Sequence, residues 1–359
     1  MHIPDGYLSP STCATLYAGA IAGWYAALKR VKHLLLSRVV PLISVFAAFA
    51  FVVMMFNLPL PGGTTGHAIG VTIAAIVLGP SGAILAISIA LAIQALFFGD
   101  GGITTLGANC FNMAIVGSLV AYGSYRMIAA GSSIASRRRV LAAAIAGYLA
   151  VNAAAFVAAI EFGIQPLLFH DAAGTPLYAP YPFSIALPAM MIGHLTFAGL
   201  AEAVISAGLV AYLQVADPGL LQGTSGVPPI GEDVAASRAV ASSQRRLWLG
   251  LALLMLLTPV GILTAGKAWS EWSPTEFAVA GSPAQVATAG NIPKGTIPNG
   301  MQRLATLWTA PFPGYAPGFV KSTTFGYLLS AMFAVGFLLA LSLLVQRYLE
   351  RRRATRYPT

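Results

Sequence analysis

Charge is scarce in this sequence. Asp, Glu, Lys and Arg make up 9% of its 359 residues, where a soluble globular domain carries about 25%. Hydrophobic residues make up 57%, and the mean hydropathy is +0.77. No water-soluble core could hide that much apolar surface, so a soluble enzyme or binding domain is excluded and lipid must cover part of the chain. Cysteine is nearly absent. Cys13 and Cys110 both sit in apolar runs, which excludes a disulfide framework and leaves two small buried hydrophobes. No HExxH motif and no metal-binding cysteine pair is present. The run Gly261–Ala268 imitates a phosphate-binding loop, but it ends in Ala where Ser or Thr should hold magnesium, and it lies at the end of an apolar segment. Without an ATPase motif of its own, the chain needs another subunit for any ATP-driven step. The start, Met1-His2-Ile3-Pro4-Asp5-Gly6, lacks the basic region of a signal peptide and contains an Asp, so it is expected to be retained.

Apolar segments of spanning character cover 12–31, 38–57, 68–79, 81–98, 104–129, 140–163, 183–215, 247–265 and 324–345. Segment 68–79 is too short to cross alone. Gly79-Pro80 ends it and the next begins at once, so 68–98 is expected to be a helical hairpin or a broken helix buried in protein. The segment 183–215 is longer than a crossing needs. The fold class is therefore all-α: a polytopic membrane protein with a seven-segment core and two further transmembrane helices.

Basic residues fix an expected orientation. With the N-terminus outside and the C-terminus cytoplasmic, the inner loops and tail hold Lys29, Arg30, Lys32, Arg38, Arg126, Arg137 to Arg139, Arg238, Arg245, Arg246, Arg347, Arg351 to Arg353 and Arg356. Only Lys267, Lys294, Arg303 and Lys321 fall outside. This asymmetry is the positive-inside pattern, and it explains the net charge of +9 without nucleic acid. Three units follow: a core over 1–215, a cytoplasmic linker over 216–246 with a Gly/Pro/Ser-bearing stretch, and a two-span module over 247–359 around an irregular exterior segment, 266–320.

The histidine at position two carries the main chemical signal. The terminal amine, the His2 amide nitrogen and imidazole Nδ1 can close a five- and a six-membered chelate ring on one metal. These donors are nearly coplanar nitrogens, which suits Ni(II) or Cu(II). His67, in Pro61-Gly62-Gly63-Thr64-Thr65-Gly66-His67, falls on the same membrane face and can complete the plane. The candidate metal ligands are therefore Met1, His2 and His67, with Asp5 as a second-layer acceptor or an ordinary turn residue. Thr65, in the loop that leads to His67, is a further second-layer candidate. Gly99-Asp100-Gly101-Gly102 reads as turn and capping chemistry, with Asn109 and Asn112 entering the next helix where they could support the site from behind. His33 lies among basic residues and His170 in an outer loop beside Asp171. His194 and Glu202 share a helical face at membrane depth, as a hydrogen-bonded pair or as parts of a membrane-embedded metal enzyme. Ala14, Ala18, Ala22 and Ala26 form a four-residue ridge that lets another helix approach closely, within this chain or in another subunit.

The opening Met-His-Ile-Pro-Asp-Gly-Tyr-Leu-Ser-Pro, the Gly-Thr-Thr-Gly-His setting of His67 and the run Gly-Gly-Ile-Thr-Thr-Leu-Gly-Ala-Asn over 101–109 resemble the CbiM/NikM family, the substrate-capture (S) components of energy-coupling-factor (ECF) transporters for nickel or cobalt. The resemblance covers about 1–215. It implies a seven-helix core, metal ligation at Met1, His2 and His67, and contact of the alanine ridge with a transmembrane coupling subunit, with ATPase subunits as further partners. Residues 247–345 resemble the accessory NikN/CbiN module. Ile297-Pro298-Asn299-Gly300 is a diverged form of its Pro-Asp-Gly motif. The expected role is the membrane-bound capture component of an ATP-driven importer for Ni(II), in the cell inner membrane and with no catalytic cofactor. The alternatives are Co(II) for cobalamin synthesis, a metal sensor, or a membrane metal enzyme.

Overall fold

The computed structural model describes residues 1–31, 39–60, 64–224, 249–262 and 297–356. Several expectations fall outside the described residues: those on Lys32, His33, Arg38 and the glycines of 61–63, on the linker over 225–246, and on the exterior segment over 263–296. The elements are α1 (Pro10–Val31), α2 (Val39–Met54), a two-stranded hairpin of β1 (Leu58–Leu60) and β2 (Thr64–Gly66), α3 (Val71–Phe98), α4 (Leu106–Ala129), α5 (Arg137–Leu168), α6 (Phe183–Ala216), α7 (Leu249–Gly261), α8 (Asn299–Leu304) and α9 (Thr323–Arg356). Helix dominates because a chain in lipid must satisfy its backbone internally. Five of the described helices are long and apolar enough to cross a membrane: α3, α4, α5, α6 and α9. α2 and α7 are shorter apolar helices.

Sequence chemistry sets the helix starts. Ser9 Oγ accepts a hydrogen bond from Thr12 N at 3.1 Å and opens α1 with Pro10 in its first turn. Ser136 does the same for α5, accepting from Arg138 N at 3.2 Å. α5 buries a row of alanines (Ala142, Ala146, Ala150, Ala154, Ala158), so α4 and α6 can approach its backbone closely.

α3 is broken at Gly79, whose φ of 72° and ψ of 169° belong to glycine alone, followed by Pro80. A straight helix of its 28 residues would run about 42 Å. Yet His67, just before α3, and Asp100, just after it, both touch His2. The two arms therefore fold back on one another, and 68–98 is a hairpin rather than a single crossing.

The loops sort to two ends of the bundle. One end joins the N-terminal segment to β2, to the loop after α3, and to residues 177–181 and 301 through bonds such as Ala179 N to Tyr7 O (2.9 Å) and Met301 N to Leu177 O (3.1 Å). The other joins 134–136 to the end of α6, where Gln214 Nε2 donates to Ile134 O (2.7 Å) and Ser136 O (2.9 Å). The basic cluster Arg137 to Arg139 thus lies at the end opposite the N-terminus. α9 packs along α2, and α7 meets the end of α2 where Gly261 lies against Met55.

Candidate metal centre

Residues 1–9 do not fray; they thread into the bundle mouth. Ile3 and Leu8 are fully buried and Tyr7 nearly so, each burial worth about 1.5–3 kcal/mol. The Ile3 backbone is gripped on both sides. Its N–H donates to Asn109 Oδ1 at 2.9 Å, and its carbonyl accepts from Asn109 Nδ2 at 3.1 Å and Gly102 N at 2.9 Å, with Thr105 Oγ1 as a further donor. Ser9 N donates to Gln165 Oε1 at 2.9 Å. These bonds hold the first two residues in one place.

There the structure brings Met1, His2 and His67 together, at 3%, 2% and 2% exposure. The two imidazoles stack with centroids 4.7 Å apart and planes 25° from parallel. The Met1 amine donates to Thr65 O at 2.9 Å and to Thr65 Oγ1 at 3.2 Å. His67 Nδ1 lies 3.0 Å from Ala68 O, so it carries the proton and leaves the Nε2 lone pair free. Neither His67 Nε2 nor His2 Nε2 has a hydrogen-bond partner among the described residues. Burial, then the neighbouring His2 ring and Met1 amine, holds His67 well below the ordinary histidine pKa, so it stays neutral. Buried imidazole nitrogens without a hydrogen-bond partner, that of His67 neutral, beside an amine form a donor set that fits a borderline divalent cation.

Asp100 approaches the same group. Its Oδ1 lies 2.7 Å from His2 Nδ1, and its Oδ2 accepts from the Tyr315 hydroxyl. Burial pushes the Asp100 carboxyl up, but His2 and the Tyr315 hydrogen bond outweigh it and bring it down to about 2. Asp100 therefore sits on His2 Nδ1, and Thr65 sits on the amine. The glycine beside Asp100 has a steric purpose. Gly101 has φ +77°, and a Cβ there would stand 2.8 Å from Asn109 Nδ2.

The other candidates resolve separately. Asp5 does not face the histidines. Its carboxylate accepts from Ile103 N (3.1 Å), Thr104 N (2.7 Å) and Thr104 Oγ1, pinning the loop that carries Asp100. Thr65 and Asn109 lie against the amine and Ile3, as above. Asn112 faces away and donates to Glu161 Oε2 at 2.8 Å. Glu202 is no partner of His194. Its oxygens take the backbone N–H groups of Ile69 and Gly70 at 2.8 Å and Thr72 at 3.3 Å, fixing the turn just after His67. His194 Nδ1 lies 2.7 Å from Met190 O, and His170 is exposed. Ala14, Ala18, Ala22 and Ala26 are exposed. Internal packing of α1 uses the neighbouring ridge instead, with Gly19 on Phe111 and Gly23 on Ile115.

Asp100, Glu202 and Tyr315 are the residues that sequence reasoning passed over in these roles. Asp100 carried a signal, an ionisable side chain between glycines on the expected ligand face. Tyr315 carried none, since it lies 248 positions after His67 in sequence numbering.

A family model described as the cobalt uptake substrate-specific transmembrane region, CbiM, matches residues 2–220. The fused nickel transport protein NikMN of Rhodobacter capsulatus is 52% identical over 344 residues, 95% of each chain. The probable fused nickel transport protein LarMN of Lactiplantibacillus plantarum is 39% identical over 93% of this chain and 94% of its own. A crystal structure of a truncated transition metal transporter superposes with a TM-score of 0.57 at 52% identity, covering 59% of this chain and 98% of that one.

Proposed function

The chain belongs to the CbiM family, in the fused NikM–NikN arrangement, and from that premise we propose that it captures Ni(II) from outside the cell through four nitrogens: the Met1 amine, the His2 amide, His2 Nδ1 and His67 Nε2. The observation that carries this reading is the buried convergence of Met1, His2 and His67 at the bundle mouth, with imidazole nitrogens left unpartnered. A planar nitrogen set favours nickel over cobalt, and the fused nickel relatives support the same choice; Co(II) in the same role is the alternative.

Capture exchanges partners. The amine loses its proton and leaves Thr65, and Nδ1 leaves Asp100 for the ion. Deprotonation of the His2 amide adds a negative charge beside the dication, and Asp100 stays close as a second. Those charges offset the cost of stripping water from the ion. The enzyme reading loses its base, because Glu202 is occupied by three backbone N–H groups. Energy for release comes from separate ATPase subunits reached through a transmembrane coupling subunit of the ECF type, which seats on the exposed alanine ridge of α1. The chain is a multi-pass protein of the cell inner membrane, its N-terminus outside and its C-terminus cytoplasmic. The core over 1–215 captures the ion, and the module over 247–359 is accessory to it.

Nickel titration of the purified full chain tests the site. One residue added before Met1 moves His2 to position three and breaks the chelate. That variant and His67→Ala should each lose at least about 100-fold in affinity, since even outer partners of a metal ligand are worth about 10–100-fold. Unchanged binding in both refutes the four-nitrogen site, and tighter binding of Co(II) than Ni(II) reverses the choice of ion.

A further inference from the structure

The C-terminal module reaches the metal centre with a side chain of its own. Tyr315 is 4% exposed and stacks on Phe98 at 4.8 Å, with ring planes 23° apart. Its hydroxyl donates to Asp100 Oδ2 and accepts from Gln94 Nε2 at 3.0 Å. Its backbone is unusual, a non-glycine residue at φ +61°, a conformation uncommon for side-chain-bearing residues. Three bonds hold that segment in place: Phe312 N to Phe97 O at 2.9 Å, Ser330 Oγ to Tyr315 O at 3.0 Å, and Trp308 Nε1 to Leu96 O at 3.1 Å. A strained residue so firmly braced, with its one polar atom on a carboxylate, points to function. The module also closes over the N-terminal tip elsewhere, where the Met301 carbonyl lies against Gly6.

We propose that Tyr315 is a positioning residue for metal capture: it holds Asp100 by one oxygen so that the other can release His2 Nδ1 to the ion while the carboxylate stays beside the site. The fused module is then a working part of the binding centre rather than an appended anchor. This rests on the four-nitrogen reading. The direction of the effect follows from the bonding. Without the Tyr315 hydroxyl, the buried carboxylate loses a donor, leans harder on His2 and competes with the metal for Nδ1. Binding weakens.

The test is a double-mutant cycle read by nickel titration of the full chain, using Tyr315→Phe, Asp100→Asn and the pair, with His67→Ala alongside. Phe keeps the ring that stacks on Phe98, and thermal unfolding of the metal-free protein checks that each variant is folded. Tyr315→Phe should weaken binding about 10- to 100-fold, the range for outer partners of metal ligands. In the Asp100→Asn background the same change should cost less than about threefold, because the carboxylate whose hold on Nδ1 it restrains is already gone. Copper(II), which nitrogen sets hold more tightly, reads the same cycle if nickel is too weak in Asp100→Asn. Wild-type affinity in Tyr315→Phe, or an undiminished loss in both backgrounds, overturns the proposal. If His67→Ala also binds normally, the four-nitrogen reading fails with it; if His67→Ala loses binding and Tyr315→Phe does not, only the role of Tyr315 fails.

Discussion

Protonation decides what His67 can do. Burial holds its pKa below the ordinary value of about 6.5, so it is already neutral and, as a ligand of the proposed site, needs no proton removed. In the proposed four-nitrogen site, the protons that compete with nickel are those of the amine and the amide. Affinity is therefore expected to rise with pH, with net proton release on binding. Calorimetric titration in buffers of different ionisation enthalpy counts those protons. Equal affinity at about pH 6 and about pH 8, with no proton released, would contradict amine and amide ligation. The same shift has a stability consequence of fixed sign. Below about pH 6.5 the unfolded chain protonates this histidine and the folded chain resists, so metal-free stability falls with pH until the folded pKa is reached. Asp100 adds a second loss as pH drops from its ordinary 3.8 towards about 2.

Elements place these residues, and the broken helix α3 matters most. Its fold-back returns residue 100 to the neighbourhood of residue 67, so the break belongs to the site although it lies far from it. Gly79→Ala forces a Cβ into a backbone region that only glycine occupies, at a cost of about 1–3 kcal/mol. The expected outcome is a lower unfolding midpoint together with weaker nickel binding. A variant with unchanged thermal unfolding and unchanged affinity would show that the break is not needed. This element was half legible in the sequence. Gly79-Pro80 announced an interruption, but a bent single crossing and a hairpin have the same composition. What decides between them is the contact of both ends with His2.

At the scale of the whole molecule, α1 presents two ridges in different surroundings. Gly19 and Gly23 seat α1 on its own bundle, while Ala14, Ala18, Ala22 and Ala26 are exposed, and the proposed coupling contact rests on them. Ala18→Leu should leave nickel binding by the purified chain within about twofold of the original, because Ala18 is exposed on α1. Overpacking of a close helix contact costs about 1–3 kcal/mol. Uptake of radiolabelled nickel by cells that also carry the coupling and ATPase subunits should therefore fall about tenfold or more. Full uptake with Ala18→Leu would move the coupling contact elsewhere on the chain.

The sequence by itself determined that this chain lives in lipid and that Met1 and His2 set an amine, an amide nitrogen and an imidazole within chelating reach of one another. Those conclusions follow from composition and from the covalent distance between a terminal amine and the next imidazole, which no tertiary contact alters. Only the folded chain decided which carboxylate stands beside the histidines. Asp5, read as a second-layer acceptor or a turn residue, pins a loop instead, and Asp100 takes the position because the returning arm of α3 delivers it there. The reach of Tyr315 from the far module into that group is likewise a product of packing, since residues so distant in sequence meet only when several helices are in place.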